Sequence, residues 1–522
     1  MITSSLWLAI AGPAALLALG LIPAATANRQ PRQLARLAPL LALATFATAV
    51  VLAVLVFIGG PLHTPTPALG FGLWADRLTA VMFVLVAFVG TIVVSYSRNY
   101  LDGDADHGRF TKWLCFTLAS VLVLIISGNM VQFAIAWLAT SLGLNRLLLF
   151  YRTRPAAILA ARKKFLASRL SDICLLGAMW LIFSAFGGLD YATIFAGAKA
   201  AAATPGITTA CFLLVIAALL KSAQFPLHGW LIEVMETPTP VSALLHAGII
   251  NAGGFILLRF SDVLVLSAPA LDTLAIVGGF TALFASVVML TQSSIKVALA
   301  WSTIAQMGFM MLQCGLGAWS AALLHIVAHS LYKAHAFLSS GSVVDIARTS
   351  WSPSPGGAPH PARLGMALGI VFAVALVAST LFGATLTAQP GVFALGAIMM
   401  FGLAHLIAQS IDERPNAFVV VRTLALASVV ALAYFGLQFG AAQLMTGTLP
   451  ITAQTRGPLT IAIVVLVVLA FAIVTLLQSR LGDANRTPRG RALYAHVNNG
   501  FYVNTIANRL VLRLWPAGAP TV

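Results

Sequence analysis

Charge is scarce in this chain of 522 residues. Aspartate, glutamate, lysine and arginine together make up 8%, against roughly a quarter in soluble globular proteins. Acid is the scarcer sign, with 14 acidic residues against 30 basic ones. Such a shortage excludes a soluble globular protein of this size. Cysteine is scarce too. Cys115, Cys174, Cys211 and Cys314 all fall in apolar runs and form no CxxC pair. That excludes a zinc or iron–sulfur framework and leaves them as small core hydrophobes. No phosphate loop, haem or quinone signature or metal-ligand cluster is present. The chain is therefore expected to hold no catalytic residues, metal or cofactor of its own. A basic segment before the first apolar stretch is missing as well, so residues 6–25 read as a span rather than a cleavable leader.

What is abundant is apolar sequence: 60% of residues are hydrophobic and mean hydropathy is +0.96. Runs of about 18–24 apolar residues are long enough to cross a bilayer. They recur near 4–25, 38–59, 73–95, 113–127, 129–150, 165–186, 209–231, 240–258, 273–291, 296–315, 318–343, 364–386, 391–410, 417–438 and 457–478. The fold class is thus an all-α polytopic membrane protein. With the N-terminus outside, most basic residues fall in inner loops and in the tail from Arg480 to Arg513, and the outer side receives only Arg77, Lys199, Arg259 and Arg456. This is the positive-inside asymmetry. It accounts for the net charge of +16 without a nucleic-acid partner and puts the C-terminal tail in the cytoplasm. The longest polar stretches are 349–363 and 479–522. The latter carries ALYAHVNNGFYVNTIANRLVLRLWP, an amphipathic segment that reads either as a surface anchor or as a docking site.

The ionisable residues left inside the spans are few. They are Arg146, Lys164, Arg169, Asp172, Lys221, Glu233, Glu236, His246, His325, His329, Lys333, His335 and His405, with Arg422 near a span entrance. Lys221 ends the run ACFLLVIAALLK. A charge at that depth costs about 3 kcal/mol on insertion scales and marks a functional candidate. Pro226 follows five residues later and should break the helix beside it. Arg169 and Asp172 share a helical face and read equally as a structural ion pair or as relay groups. In HIVAHSLYKAHAF (325–337), His325, His329 and Lys333 stand one turn apart on one face, a spacing that suits proton or cation movement. A di-histidine metal site is disfavoured, because no carboxylate or thiol shares that face. Lys221 and Lys333 then suggest two half-channels, one around each lysine.

These residues carry a resemblance. KSAQFPLHGWLIEVMETPTPVSALLHAGIINAGGFILLR (221–259), SSIKVALAWSTIAQMGFMML (293–312) and HIVAHSLYKAHAFLSSGSV (325–343) resemble the antiporter-like subunits of respiratory complex I (chain L) and of Mrp-type Na⁺/H⁺ antiporters. The resemblance implies an antiporter-like fold of about 14–15 transmembrane helices with inverted repeats and broken helices. It implies N-terminal helices over 1–110, half-channels over 111–260 and 261–415, C-terminal helices over 416–478 and a cytoplasmic amphipathic tail over 479–522. It also implies a proton or cation pathway through Lys221, Lys296, His325, His329 and Lys333, with Arg169, Asp172 and His246 matching family positions and Pro238 and Pro240 matching its PTP turn. Two departures stand out. Leu138 occupies the position of the family's channel glutamate, and 364–410 lacks an exit lysine. Asp172, then Glu236, is the expected substitute counter-ion to Lys221.

The SLYKAHAFLSSGS wording, the length and the LYAHVNNGFYVN tail are similar to the membrane subunit of DAB-type inorganic carbon accumulation complexes. That resemblance implies a proton- or Na⁺-conducting coupling subunit in a bacterial inner membrane. Its partner would be a large zinc-containing, β-carbonic-anhydrase-like protein on the cytoplasmic side that hydrates CO₂ to bicarbonate. A complex I or Mrp-type antiporter subunit and a passive membrane scaffold for a soluble enzyme stay open as alternatives.

Overall fold

Hydrocarbon offers the backbone no hydrogen-bond partners, so long apolar runs must satisfy their own amides as helices. The computed structural model describes residues 2–64, 70–200, 204–341, 361–410, 417–451, 457–478 and 487–515. The chain begins with α1 (Ile2–Leu21), α2 (Ala24–Arg29) and α3 (Pro31–Gly59). A short antiparallel pair follows, β1 (Leu62–His63) with β2 (Trp74–Ala75). Then come α4 (Arg77–Tyr100), α5 (His107–Ile126), α6 (Met130–Leu148), α7 (Pro155–Phe186), α8 (Tyr191–Ala200), α9 (Ile207–Lys221), α10 (Gly229–Glu233), α11 (Thr239–Ala247), α12 (Ala252–Arg259) and α13 (Ser261–Leu264). Next are α14 (Ala268–Met289), α15 (Ile295–Gly315), α16 (Trp319–Leu338), α17 (Pro361–Leu381), α18 (Pro390–Ser410), α19 (Ala417–Leu444) and α20 (Pro458–Gln478). The tail forms α21 (Pro488–Asn498) and α22 (Val503–Leu514).

Among the described residues, eleven helical stretches are long and apolar enough to span a membrane, and three shorter apolar helices lie at Leu6–Leu21, Ile207–Lys221 and Pro390–Ala404. With α16, which carries the histidines and Lys333, every one of the apolar runs read from the sequence contains a helix among the described residues. Local signals set several starts. The Asp76 side chain accepts from the Thr79 N–H at 2.8 Å and opens α4, and Asn129 does the same for α6 through Gln132.

Apolar side chains pack into two cores. The larger joins helices from α1 to α16, and the smaller seats α17–α20 against α14 and α15. Helices α14 and α15 touch backbone to backbone. A Cβ on Gly308 would lie 2.5 Å from the Ala282 nitrogen, and one on Gly278 2.6 Å from the Leu312 nitrogen. Small residues are what permit such an approach where lipid gives no hydrophobic drive between helices.

Among the described residues two helices are interrupted, and the interruptions adjoin. Helix α9 ends at Lys221, and helix resumes only at Gly229, past Pro226. The 239–259 span breaks at Gly248–Asn251, which no proline marks. Side chains cover the freed backbone: Ser222 Oγ donates to the Ile250 carbonyl at 3.0 Å, and Asn251 Nδ2 donates to the Ala247 carbonyl at 3.1 Å. Pro238 and Pro240 sit at the entry of α11 and start a helix there.

Candidate ion pathway

Lys221 is delivered by the apolar face of α9 and is only 6% exposed. Its ammonium donates to Ser141 Oγ at 2.7 Å and to the Trp137 carbonyl at 3.4 Å, and it lies 4.1 Å from the centre of the Trp137 ring. Trp137 and Ser141 are one turn apart on α6, so a single helical face supplies dipoles and a π surface in place of a carboxylate. Lys164, on α7, donates to the Ser141 carbonyl at 3.0 Å. Two buried amines therefore converge on one serine. Leu138, where the family carries glutamate, is 36% exposed.

The expected counter-ion sits nearby but is engaged elsewhere. Asp172 pairs with Arg169 at 2.7 Å. Its charge acts on Lys221 from a distance, favourably, while Arg169 opposes it. Among the described residues no carboxylate lies within ion-pair range of the Lys221 amine. The side chain of Glu236, the second candidate, lies outside the described residues, as does that of His405.

The other lysine repeats the arrangement. Lys333 is fully buried, and its ammonium donates to the Leu299 carbonyl of α15 at 3.1 Å. That carbonyl also accepts from Thr303 Oγ1 at 3.0 Å, and the Thr303 hydroxyl meets His246 Nδ1 at 2.9 Å. His246 stacks on Phe337 with ring centres 4.4 Å apart. Lys333, Leu299, Thr303 and His246 thus form a continuous polar line between α16, α15 and α11. His325 and His329 lie 6.1 Å apart, ring centre to ring centre, and both His329 nitrogens are buried without a protein partner among the described residues. Lys296 reaches the Thr239 hydroxyl at 3.3 Å, at the entry of α11.

Two clusters went unread in the sequence. Asp76 and Arg259 form a buried ion pair supported by Thr79 and Trp74. Burial raises the Asp76 pKa, and the Arg259 guanidinium together with the hydrogen bonds from Thr79 and Trp74 more than offsets this, so the carboxyl is held below its usual range. The other cluster lies under the tail. Lys163 pairs with Glu233 at 2.6 Å and also donates to Asn504 at 2.7 Å and Asn508 at 2.6 Å. Both asparagines in turn donate to Glu233 Oε1, at 3.0 and 2.8 Å. The i, i+4 spacing of Asn504 and Asn508 was the available signal. Helix α22 is therefore docked beneath the α9–α10 break.

Buried amines in an apolar bundle with interrupted helices, each bonded to polar groups of a neighbouring helix, define an antiporter-like membrane subunit. Residues 127–352 match the family described as NADH:quinone oxidoreductase/Mrp antiporter, TM, and residues 62–111 match NADH-ubiquinone oxidoreductase (complex I), chain 5 N-terminus. The chain is 40% identical to the probable inorganic carbon transporter subunit DabB2 of Halothiobacillus neapolitanus, over 88% of this chain and 83% of that protein. It is 38% identical to the probable inorganic carbon transporter subunit DabB of Hydrogenovibrio crunogenus, over 86% and 85%. A chain in the Mrp complex of Dietzia sp. DQ12-45-1b shares the fold with a TM-score of 0.62 at 24% identity, over 98% of this chain and 59% of that one. The chain belongs to the DabB family of inorganic carbon transporter subunits.

Proposed function

We propose that this chain conducts protons, or Na⁺, down their gradient in a bacterial inner membrane, with its N-terminus outside and its tail cytoplasmic. It thereby drives CO₂ hydration by a zinc-containing, carbonic-anhydrase-like partner on the tail side. The observation that carries the reading is the pair of buried amines, Lys221 and Lys333, held by neutral acceptors rather than carboxylates among the described residues. An amine held this way stays able to give up its proton, whereas a fixed ion pair would lock it charged. Family membership supports inorganic carbon as the cargo.

In this scheme Lys221 and Lys333 change protonation in turn. His246, His325, His329 and Lys296 carry charge between them, and Arg169–Asp172 sets the field at Lys221. One elementary charge crossing 100 mV releases about 2.3 kcal/mol. Hydration follows CO₂ + H₂O → HCO₃⁻ + H⁺, so taking the proton away from the partner's site favours bicarbonate. Lys221→Ala and Lys333→Ala are each expected to abolish inorganic carbon uptake in a strain that depends on this complex. Wild-type uptake in both variants overturns the reading. Zinc that copurifies stoichiometrically with the complex supports the partner, and its absence removes it.

A further inference from the structure

Away from Lys221 and Lys333, two further cations gather on one ring with no acid to meet them. Lys112, in the second turn of α5, is only 8% exposed. Its ammonium nevertheless makes no hydrogen bond or ion pair among the described residues. It faces the Trp113 ring, 4.8 Å from the centre. Arg146, in the last turn of α6, stands 5.6 Å from the centre of the same ring and likewise has no acid partner among the described residues. The charge that acts on Lys112 is that of Arg146, and it repels. Asp106, the acid nearest in sequence to Lys112, is engaged by Arg109 at 3.0 Å and by Asn28 at 3.0 Å. The indole offsets part of the repulsion, and an anion between the cations would remove it. This is the tail-side end of the bundle. Arg109 bonds the Phe150 carbonyl at 3.0 Å, and the following helix, α7, bonds the tail through Arg162 and the Trp515 carbonyl at 2.7 Å.

An apolar groove leads away from the pair. Helices α1, α5 and α6 border a space of about 460 Å³ lined by Leu17, Phe116, Val123, Ile135 and Ala139, with Phe71 of the loop before β2 at its far end. Phe116 lines it nearest the cations, and its ring meets Trp113 edge to face at 5.4 Å. On α6 the exposed residues Ile135, Leu138 and Leu142 lead at helical spacing to exposed Arg146, so an exposed apolar stripe ends on a cation. Lys112 to Val123 spans about 16 Å along α5 at about 1.5 Å per residue. That is close to one leaflet of a hydrocarbon core about 30 Å thick. A free anion would use the cations and leave the groove idle. A polypeptide strand would find no backbone partners in so apolar a lining.

We propose that this is a binding site for an anionic phospholipid of the tail-side leaflet, with its phosphate between Lys112 and Arg146 and one acyl chain in the α1–α5–α6 groove. The ammonium donates to one phosphate oxygen, and the guanidinium fork donates to the others. Trp113 takes the place that indoles favour at the boundary of headgroup and chain. Basic pockets between membrane helices on the cytoplasmic side suit such headgroups. The inference does not depend on the conducting reading.

Its test uses the intact complex, purified and delipidated in detergent, and titrated with dioctanoyl phosphatidylglycerol, dioctanoyl phosphatidylcholine or glycerol phosphate. Native mass spectrometry reads the lipid retained, and thermal unfolding reads its effect. Phosphatidylglycerol is expected to bind saturably and raise Tm, while phosphatidylcholine and glycerol phosphate do neither over the same range. Lys112→Gln and Arg146→Gln should each weaken phosphatidylglycerol binding about tenfold, the loss of one charge-assisted hydrogen bond. Ala139→Trp fills the groove, leaves both charges, and should weaken binding by about as much. Arg146 is exposed, so its variant keeps the test open if either of the others fails to fold. Equal binding of phosphatidylcholine overturns the proposal, because the cations then select nothing. Equal binding of glycerol phosphate overturns it in favour of a free-anion site. Wild-type affinity for phosphatidylglycerol in the folded variants overturns it as well.

Discussion

A single residue decides how each charge survives inside this bundle, and two solutions coexist. Lys221 and Lys333 rest on neutral oxygens, whereas Arg259 rests on the Asp76 carboxylate. The first solution leaves the ammonium on neutral acceptors, and the second gives the guanidinium a fixed counter-charge. The Asp76 pair is therefore structural. Removing one partner strands a buried charge, so Asp76→Asn should lose about 3–5 kcal/mol. Asp76→Leu combined with Arg259→Met should recover much of it. The pH dependence has a definite sign. The folded carboxyl titrates below its unfolded value of about 3.9, so its stabilisation is complete above that pH and is lost as pH falls through the lower folded value. Thermal unfolding in detergent should show wild type losing stability on acidification in that window while Asp76→Asn does not. Equal acid sensitivity in the two proteins would remove Asp76 from the account.

At the scale of elements, what the sequence made legible followed from local physics. Apolar length gave the helices, and Pro226 after Lys221 gave the first interruption, since a proline both lacks a donor and blocks the preceding turn. The Gly248–Asn251 break was not legible. Its freed carbonyls are covered by Ser222 and Asn251, contacts that only the packed bundle brings together. Lys221 was legible as a costly charge, but its Ser141 and Trp137 partners were not, because the family pattern directed attention to Leu138, one residue along and exposed. The tail shows the same limit. Its amphipathic pattern allowed either a surface anchor or a docking site, and neither reading named what is found: Asn504 and Asn508 of α22 bond the bundle's own Lys163–Glu233 pair. Asn504→Leu with Asn508→Leu keeps helix propensity and removes that link. We expect faster limited proteolysis within 487–515 while the transmembrane bundle stays intact. Cleavage at the wild-type rate would mean that the tail's other contacts hold it, namely the bonds of Arg162, Gln292 and Thr291 and the rings of Trp515 and Phe501.

At the scale of the whole molecule, the question is whether the polar groups do work or are inherited fittings on an anchor. The breaks at Lys221 and Gly248 adjoin, the Lys333 line ends on His246 in the span that contains the second break, and the tail sits beneath the first. A scaffold needs none of this, and each buried charge costs about 3 kcal/mol to insert. Retention of both lysines in a chain without the family glutamate argues for use. If this is so, uptake depends on the membrane gradient. A protonophore should then stop inorganic carbon uptake at once in cells whose complex is intact and whose ATP is held constant. A sodium ionophore should stop it only if Na⁺ is the coupling ion. Uptake that continues under both agents, at the rate seen without them, would reduce this chain to an anchor for its partner.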